Sequence, residues 1–162
     1  MRNSFKTSKS WSVLSAVLVM LLANVNANAQ SGGAIYEVGP DMMRAKIVPV
    51  ASQLENGNII SFGGREAGFV PSAYADIYNP ATNVFTEMPM NSTHDFAAVA
   101  KLGNGNYFIA GGGRTIGVPA YANTEIYDVN TNTFIAKASM NSPRMMATAV
   151  ELSDGKVLIA GA

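Results

Sequence analysis

Five side chains in this sequence of 162 residues have the chemistry to hold or transform a ligand. Arg65 and Arg114 each follow directly on a glycine run, Gly63-Gly64 and Gly111-Gly112-Gly113, and stand 49 residues apart. Two guanidinium forks presented in this way suit a carboxylate or the hydroxyls of a sugar. The competing use, and the preferred one, is that each arginine bonds carbonyls and acids of an adjoining unit, since structural arginines recur in repeats by geometry alone. His94 and Asp95 are neighbours of acid and base type, but successive residues on a strand point to opposite faces, so as a proton-transfer pair they are weak. Arg144, in Asn141-Ser142-Pro143-Arg144, completes the ligand-binding candidates: Arg65, His94, Arg114 and Arg144. No residue is assigned a catalytic role. Cysteine is absent and His94 is the only histidine, so neither a metal nor another cofactor is expected. Gly111-Gly112-Gly113-Arg114 lacks the following helix and the Gly-Lys-Ser/Thr ending of a phosphate-binding loop, which removes nucleotide chemistry.

Such side chains need a scaffold, and the composition favours sheet. The chain is 48% hydrophobic and 14% charged, low in charge for a solvated helical protein. Lysine plus arginine and aspartate plus glutamate number 11 each, which gives no pull toward nucleic acid or an anionic membrane. The start of the chain departs from the rest. Arg2, Lys6 and Lys9 precede an apolar run from Trp11 to Leu22, and the segment closes on the small residues Ala27-Asn28-Ala29. These are the three regions of an export signal, with cleavage expected after Ala29 and a secreted or periplasmic destination. The run of 12 residues falls short of the roughly 20 that span a bilayer, so no membrane span is expected after cleavage. Loss of residues 1–29 leaves 8 basic against 11 acidic residues, a net charge near −3. With no disulfide to hold it, the mature chain must be held by packing.

Beyond residue 42 the sequence repeats. Met42, Met90 and Met140 are 48 and 50 residues apart, as are Leu54, Leu102 and Leu152, and Tyr78 and Tyr127 are separated by 49. The units cover 42–89, 90–139 and 140–162, the last without its second half. Each complete unit contains four β-rich runs: Val48–Gln53, Asn58–Phe62, Ala75–Tyr78 and Val84–Glu87 in the first, Phe96–Lys101, Tyr107–Ala110, Thr124–Tyr127 and Thr133–Lys137 in the second. The first two runs of each unit meet at Asn56-Gly57, Asn104-Gly105 or Asp154-Gly155, dipeptides that tolerate positive φ at both central positions of a tight hairpin turn. Between the third and fourth runs, Asn79-Pro80-Ala81-Thr82-Asn83 and Asp128-Val129-Asn130-Thr131-Asn132 supply Asx turns. The glycine pair that ends the second run is the place for close backbone approach.

A period near 50, a second strand ending in Gly-Gly, a following Tyr, and an aromatic after a Thr-Asn turn together resemble the Kelch repeat of β-propellers. The resemblance covers residues 42–162 and departs from the family in one respect: Phe85 and Phe134 stand where Kelch repeats usually carry tryptophan, and Trp11 lies in the leader. It implies an all-β fold, a partial propeller of about two and a half four-stranded antiparallel blades. A ring needs four to eight blades, so the remaining blades are expected as partners and the chain as a fragment of a larger propeller. Residues 30–41 precede Met42 as Phe134 and its neighbours precede Met140, and a lone ring-closing strand is expected there.

The resemblance further implies that the loops between second and third strands and those between blades share one face, where ligands bind. Galactose-oxidase-like copper enzymes, relatives within this resemblance, use tyrosines, two histidines and a cysteine-modified tyrosine, and this stretch lacks the cysteine and the second histidine. Sugar mutarotases of the periplasmic sialic-acid type are another relative. The expectation is therefore a secreted binding module for a protein or glycan, with the N-terminal part of a carbohydrate-acting enzyme as the alternative. No nucleic-acid partner is expected.

Overall fold

The computed structural model describes residues 40–113 and 119–161; the leader, the expected ring-closing strand and Arg114 lie outside the described residues. Strands β1 (Val50–Gln53), β2 (Ile59–Phe62), β5 (Tyr74–Asn79) and β6 (Val84–Pro89) form one antiparallel sheet in the order β1-β2-β5-β6. Strands β7 (Ala98–Lys101), β8 (Tyr107–Ala110), β9 (Thr124–Asp128) and β10 (Thr133–Lys137) form the second as an identical meander. Strands β11 (Thr148–Glu151) and β12 (Val157–Ala160) pair as a two-stranded sheet. A small hairpin, β3 (Arg65–Glu66) and β4 (Val70–Pro71) around a single 3-10 turn at Ala67–Phe69, fills the β2–β5 connection. No α-helix occurs among the described residues, and none of their helices is long and apolar enough to cross a membrane.

The register repeats with the sequence. Ser61 opposes Asp76 and Ile109 opposes Glu125; Ile59 opposes Tyr78 and Tyr107 opposes Tyr127. Two expectations need correction. The first strand of each sheet begins two residues late, at Val50 and Ala98, because Val48 and Phe96 adopt φ values of 52° and 51°, outside extended space. Met146 repeats this at 54°, and its amide donates to the Phe96 carbonyl at 2.8 Å, so the kink sets the chain against the preceding unit. The hairpin turns also differ. Only Gly57, Gly105 and Gly155 take positive φ, not the residues before them. The amide of each donates to the carbonyl three residues earlier while Leu54, Leu102 and Leu152 close the loop, and Asn56, Asn104 and Asp154 accept from the amide two residues on. This is a type I turn followed by a left-handed glycine, a three-residue hairpin form.

At the other turn Asn79 and Asp128 cap the loop amides as expected. Asn83 and Asn132 both take φ of 56°, and each is held there by a tyrosine hydroxyl of its own sheet, Tyr78 to Asn83 at 2.8 Å and Tyr127 to Asn132 at 2.6 Å. Asparagine tolerates this region better than other residues with a Cβ.

Between the two large sheets lies the core: Leu54, Ile60, Phe62, Ala75, Ile77, Met90, Tyr107, Ile109 and Tyr127. Phe62 lies 5.6 Å from Tyr107 with the rings tilted at 42°, and Phe134 meets it edge-on at 6.3 Å and 89°. Phe134 thus occupies the space between sheets that a tryptophan would otherwise fill. The Tyr107 hydroxyl donates across the seam to the Gln53 carbonyl at 2.8 Å, so an aromatic buried for its apolar area still satisfies its polar end.

Glycine is required where the sheets touch. Gly63 and Gly111 take φ of 58° and 64°, and a Cβ on either would overlap a backbone carbonyl oxygen of the next unit, that of His94 or Arg144. Gly57 has φ of 87° and nothing within 4 Å of the place for its Cβ. Gly57→Ala is therefore expected to cost only the left-handed penalty, about 1–2 kcal/mol, whereas Gly111→Ala adds a collision between backbones that cannot relax without separating the units. Urea denaturation of both variants checks this, with Gly111→Ala expected to be clearly the less stable and equal losses counting against a close backbone approach.

Candidate functional site

The β2–β5 and β8–β9 connections emerge at the same end of the sheets as the segments that lead from β6 to β7 and from β10 to β11. Of the candidates, Arg65, His94, Asp95 and Arg144 gather at this end. His94 and Asp95 do not lie on a strand but in the segment before β7, and both are buried. They do not act as a pair, since each has its own partner. The His94 Nε2 lies 2.8 Å from Glu125 Oε1 and its Nδ1 lies 2.7 Å from the Gly111 carbonyl. The ring is thus held between a carbonyl and a carboxylate, with the Asn123 side-chain nitrogen 3.3 Å from Nε2. Asp95 accepts from Arg65 Nε and, at 3.1 Å, from the Gly113 amide.

Arg65 does not direct a free fork at solvent. It is buried, paired with Asp95, and its guanidinium lies 4.8 Å from the centre of the Phe96 ring. One nitrogen, Nη2, has no partner among the described residues. Arg144 is half-buried and donates from Nη1 to the Gly161 carbonyl.

Three functional positions escaped the reading of the sequence: Lys46, Asp76 and Glu125. Lys46 is buried and forms a 2.6 Å ion pair with Asp76 while also donating to the Tyr74 carbonyl at 2.9 Å. The signal was present in the repeat, because Lys46, His94 and Arg144 stand 48 and 50 residues apart and Asp76 and Glu125 stand 49 apart. Each unit places a basic residue ahead of its first strand and, in the two large sheets, an acid on the third strand to meet it.

The two acids are tuned in opposite directions. Burial pushes the Asp76 carboxyl above its ordinary value of 3.8, and Lys46 with Ser61 does not reverse the effect; one carboxyl oxygen, Oδ1, has no partner among the described residues. Burial also acts upward on Glu125, but hydrogen bonds from His94 and from the amide and side chain of Asn91 outweigh it and hold the carboxyl below 4.5. More donors make the difference.

The described residues hold no cluster of three or more histidine, aspartate or glutamate side chains able to take a metal. A shallow cleft of about 460 Å³ lies at the opposite end, lined by turn residues including Glu55, Asn56 and Asn132. It contains none of the candidates.

Four-stranded antiparallel meanders laid side by side through glycine seams, with loops and buried charge gathered at one end, define a partial β-propeller. A solved structure of a fungal alcohol oxidase of the AA5 family, in complex with copper, is similar: TM-score 0.58 and 17% identity over 70% of this chain and 26% of that one. The chain thus spans about a quarter of that protein's length, and at this identity the likeness is one of fold. No family model and no curated protein matches the sequence.

The opposed shifts give a pH test. Glu125 adds stability above pH 4.5 that is lost as pH falls through its lowered folded value. Asp76 has the opposite sign: its raised folded value means stability is gained in acid and surrendered as pH rises through it. Glu125→Gln is expected to cost about 2 kcal/mol at neutral pH, since it takes the carboxylate from a buried hydrogen-bonded ring, and to lose less than the wild type between pH 5 and pH 3. Asp76→Asn is expected to lose more than the wild type over that range. Urea unfolding at each pH measures both, and parallel profiles would contradict the assignment.

Proposed function

We propose that the chain is part of an exported Kelch-type propeller that serves as a binding module, recognising a protein or glycan through loops on the face that carries the β2–β5 connection. The observation that supports a binding role over a catalytic one is the burial and pairing of His94, Asp95, Glu125 and Arg65. His94, Asp95, Glu125 and Arg65 are all below a tenth exposed and bonded to one another or to backbone, so none is free to take a proton from a substrate.

What the face does present is the β3–β4 hairpin. Phe69 at its tip is 66% exposed and Val70 54% exposed, on a short rigid turn anchored by the Ser72 hydroxyl bond to Glu66 at 2.8 Å. An exposed aromatic on a loop held by a stiff scaffold is the usual form of a recognition element. The hairpin is also what differs between units, since Gly-Phe-Val-Pro follows Arg65-Glu66-Ala67 where Thr-Ile-Gly-Val-Pro follows Arg114. Export is supported by the leader motif, in which Arg2, Lys6 and Lys9 precede the apolar run Trp11 to Leu22 and the small residues Ala27-Asn28-Ala29.

The alternative is the N-terminal part of a carbohydrate-acting enzyme, and the copper oxidase that shares the fold gives it a specific form. The residues here do not fit a copper site, because the single histidine has both ring nitrogens committed and no cysteine is present. No step through copper is derived for this chain.

A glycan array with the full-length protein tests the reading. Binding is expected to fall at least tenfold in Phe69→Ser with the melting temperature unchanged. Binding that survives this change would remove the hairpin from the site, and turnover of a sugar alcohol by the same preparation would favour the enzyme.

A further inference from the structure

The two large sheets differ in one bond beside the cleft at their far end, and the difference releases a side chain. In the second unit Asn106 Oδ1 accepts from the Val129 amide at 3.1 Å, which ties the start of β8 to the segment after β9. Asn58 stands 48 residues before Asn106, and Pro80 stands 49 residues before Val129. These are the offsets that relate Leu54 to Leu102 and Tyr78 to Tyr127. Proline has no N–H to donate, so the first unit cannot reproduce the bond. Only the backbone of Asn58 is engaged, its amide with Asn56 Oδ1 at 3.0 Å and its carbonyl with the Leu54 amide at 2.8 Å. Its carboxamide meets no partner among the described residues, is half-buried, and lines the cleft of about 460 Å³.

Both walls of this cleft come from four-stranded sheets, and both are held in place. The Gly57 amide donates to the Leu54 carbonyl at 3.0 Å on one side, and the Gly105 amide to the Leu102 carbonyl at 2.8 Å on the other. The bond from the Tyr107 hydroxyl to the Gln53 carbonyl fixes the spacing of the two sheets nearby. Around Asn58 the available groups are of both kinds. Asn56 and Asn132 each commit Oδ1 within the protein, to the Asn58 amide and the Tyr127 hydroxyl, which leaves their Nδ2 donors. Glu55 offers a carboxylate that Lys101 meets only at 3.4 Å. The Thr86 hydroxyl donates to the Ile77 carbonyl at 3.4 Å and keeps its oxygen as an acceptor. Leu54 and Val129 add apolar surface, and no lysine or arginine lines the cleft.

We propose that this cleft binds a neutral polyhydroxylated ligand, a single pyranose, with Asn58 as the residue that reads its hydroxyls. A hydroxyl both donates and accepts, and a carboxamide offers one group of each kind in a plane. Donors at Asn56 and Asn132, acceptors at Glu55 and Thr86, and both at Asn58 match adjacent hydroxyls better than a ligand that only donates or only accepts. An anion would find no cation and would face the Glu55 carboxylate. The apolar surface of Leu54 and Val129 suits the C–H face of a sugar ring, and the volume falls in the range of small-ligand sites, roughly 300–1,000 Å³. This site lies at the opposite end of the sheets from the β3–β4 hairpin and does not depend on what that hairpin binds.

Amide NMR of the isotope-labelled chain tests this, with methyl α-glucoside, methyl β-galactoside and methyl α-mannoside titrated in turn and inorganic phosphate as the anion control. At least one sugar is expected to give saturable shifts at Asn56, Asn58, Gly105 and Val129, with a dissociation constant of about 1 mM, and phosphate to give none. Asn58→Leu should weaken that binding about tenfold, as suits the loss of a hydrogen-bonding group. Pro80→Val supplies the amide that Val129 provides in the second unit. It should tie up Asn58 and weaken the sugar by a similar factor with no loss of melting temperature, a result that a merely structural Asn58 would not give. No saturable shift with any of the sugars, or equal affinity in the wild type, Asn58→Leu and Pro80→Val, would overturn the site. Shifts confined to Phe69 and its neighbours would overturn it too, while leaving the binding role of the hairpin intact.

Discussion

Residue 94 is tied to both sides of the seam at once, and the rest of the structure is arranged around that double attachment. Its ring is locked to Glu125 and Gly111 of its own sheet, while its carbonyl accepts from the Gly64 amide of the preceding one at 2.7 Å. Gly64 can approach because it takes φ of 95°, a conformation that side chains with a Cβ rarely adopt. The same residue in the next unit, Arg144, accepts from Gly112 at the same distance. A propeller blade buries its face only against its neighbours, so whatever fixes one blade on the next fixes the arc. Here it is a backbone hydrogen bond whose acceptor residue is immobilised by the buried side-chain contacts of its ring.

That arrangement explains where the charges of a charge-poor chain have gone. Lys46, Asp76, Arg65, Asp95, His94 and Glu125 are all removed from water at one end of the sheets. A buried ion pair adds little net stability over an apolar replacement, but stripping one partner is costly, so such pairs act on geometry more than on the overall balance. The apolar work is done lower in the seam, where Phe62, Tyr107, Tyr127 and Phe134 interlock, each large side chain contributing roughly 1.5–3 kcal/mol by leaving water. Packing holds the sheets together and polar contacts decide their register and approach. This division suits a scaffold whose loops vary while its frame does not.

The strands, their order and their pairing were legible because they rest on alternation and on turn chemistry repeated at a fixed offset. Phe134 in the tryptophan position was readable for the same reason. The kinks at Val48, Phe96 and Met146 were not, since nothing in a valine, phenylalanine or methionine announces positive φ; two of the three are joined across units by the bond from the Met146 amide to the Phe96 carbonyl. Adjacency in the chain makes His94 and Asp95 look like neighbours on one strand, whereas both precede β7. Their true partners, Glu125 and Arg65, are 31 and 30 residues away in the chain, and only the alignment of Lys46 with His94 and of Asp76 with Glu125 carries a trace of that pairing. Basic residue and acid change identity from unit to unit, which hides the position from a search for identical residues.

The claim that the seam is held through the carbonyl of residue 94 and its counterpart is tested most directly by native-state amide hydrogen exchange. The Gly64 and Gly112 amides lie outside every strand, so local structure alone would leave them to exchange with the loops. The account predicts that both are among the slowest in the chain, exchanging only when the sheets separate and with the same denaturant dependence as Ile60 and Ile109. Exchange of Gly64 and Gly112 at the rate of the Gly57 and Gly155 turns, with Ile60 and Ile109 still protected, would contradict it.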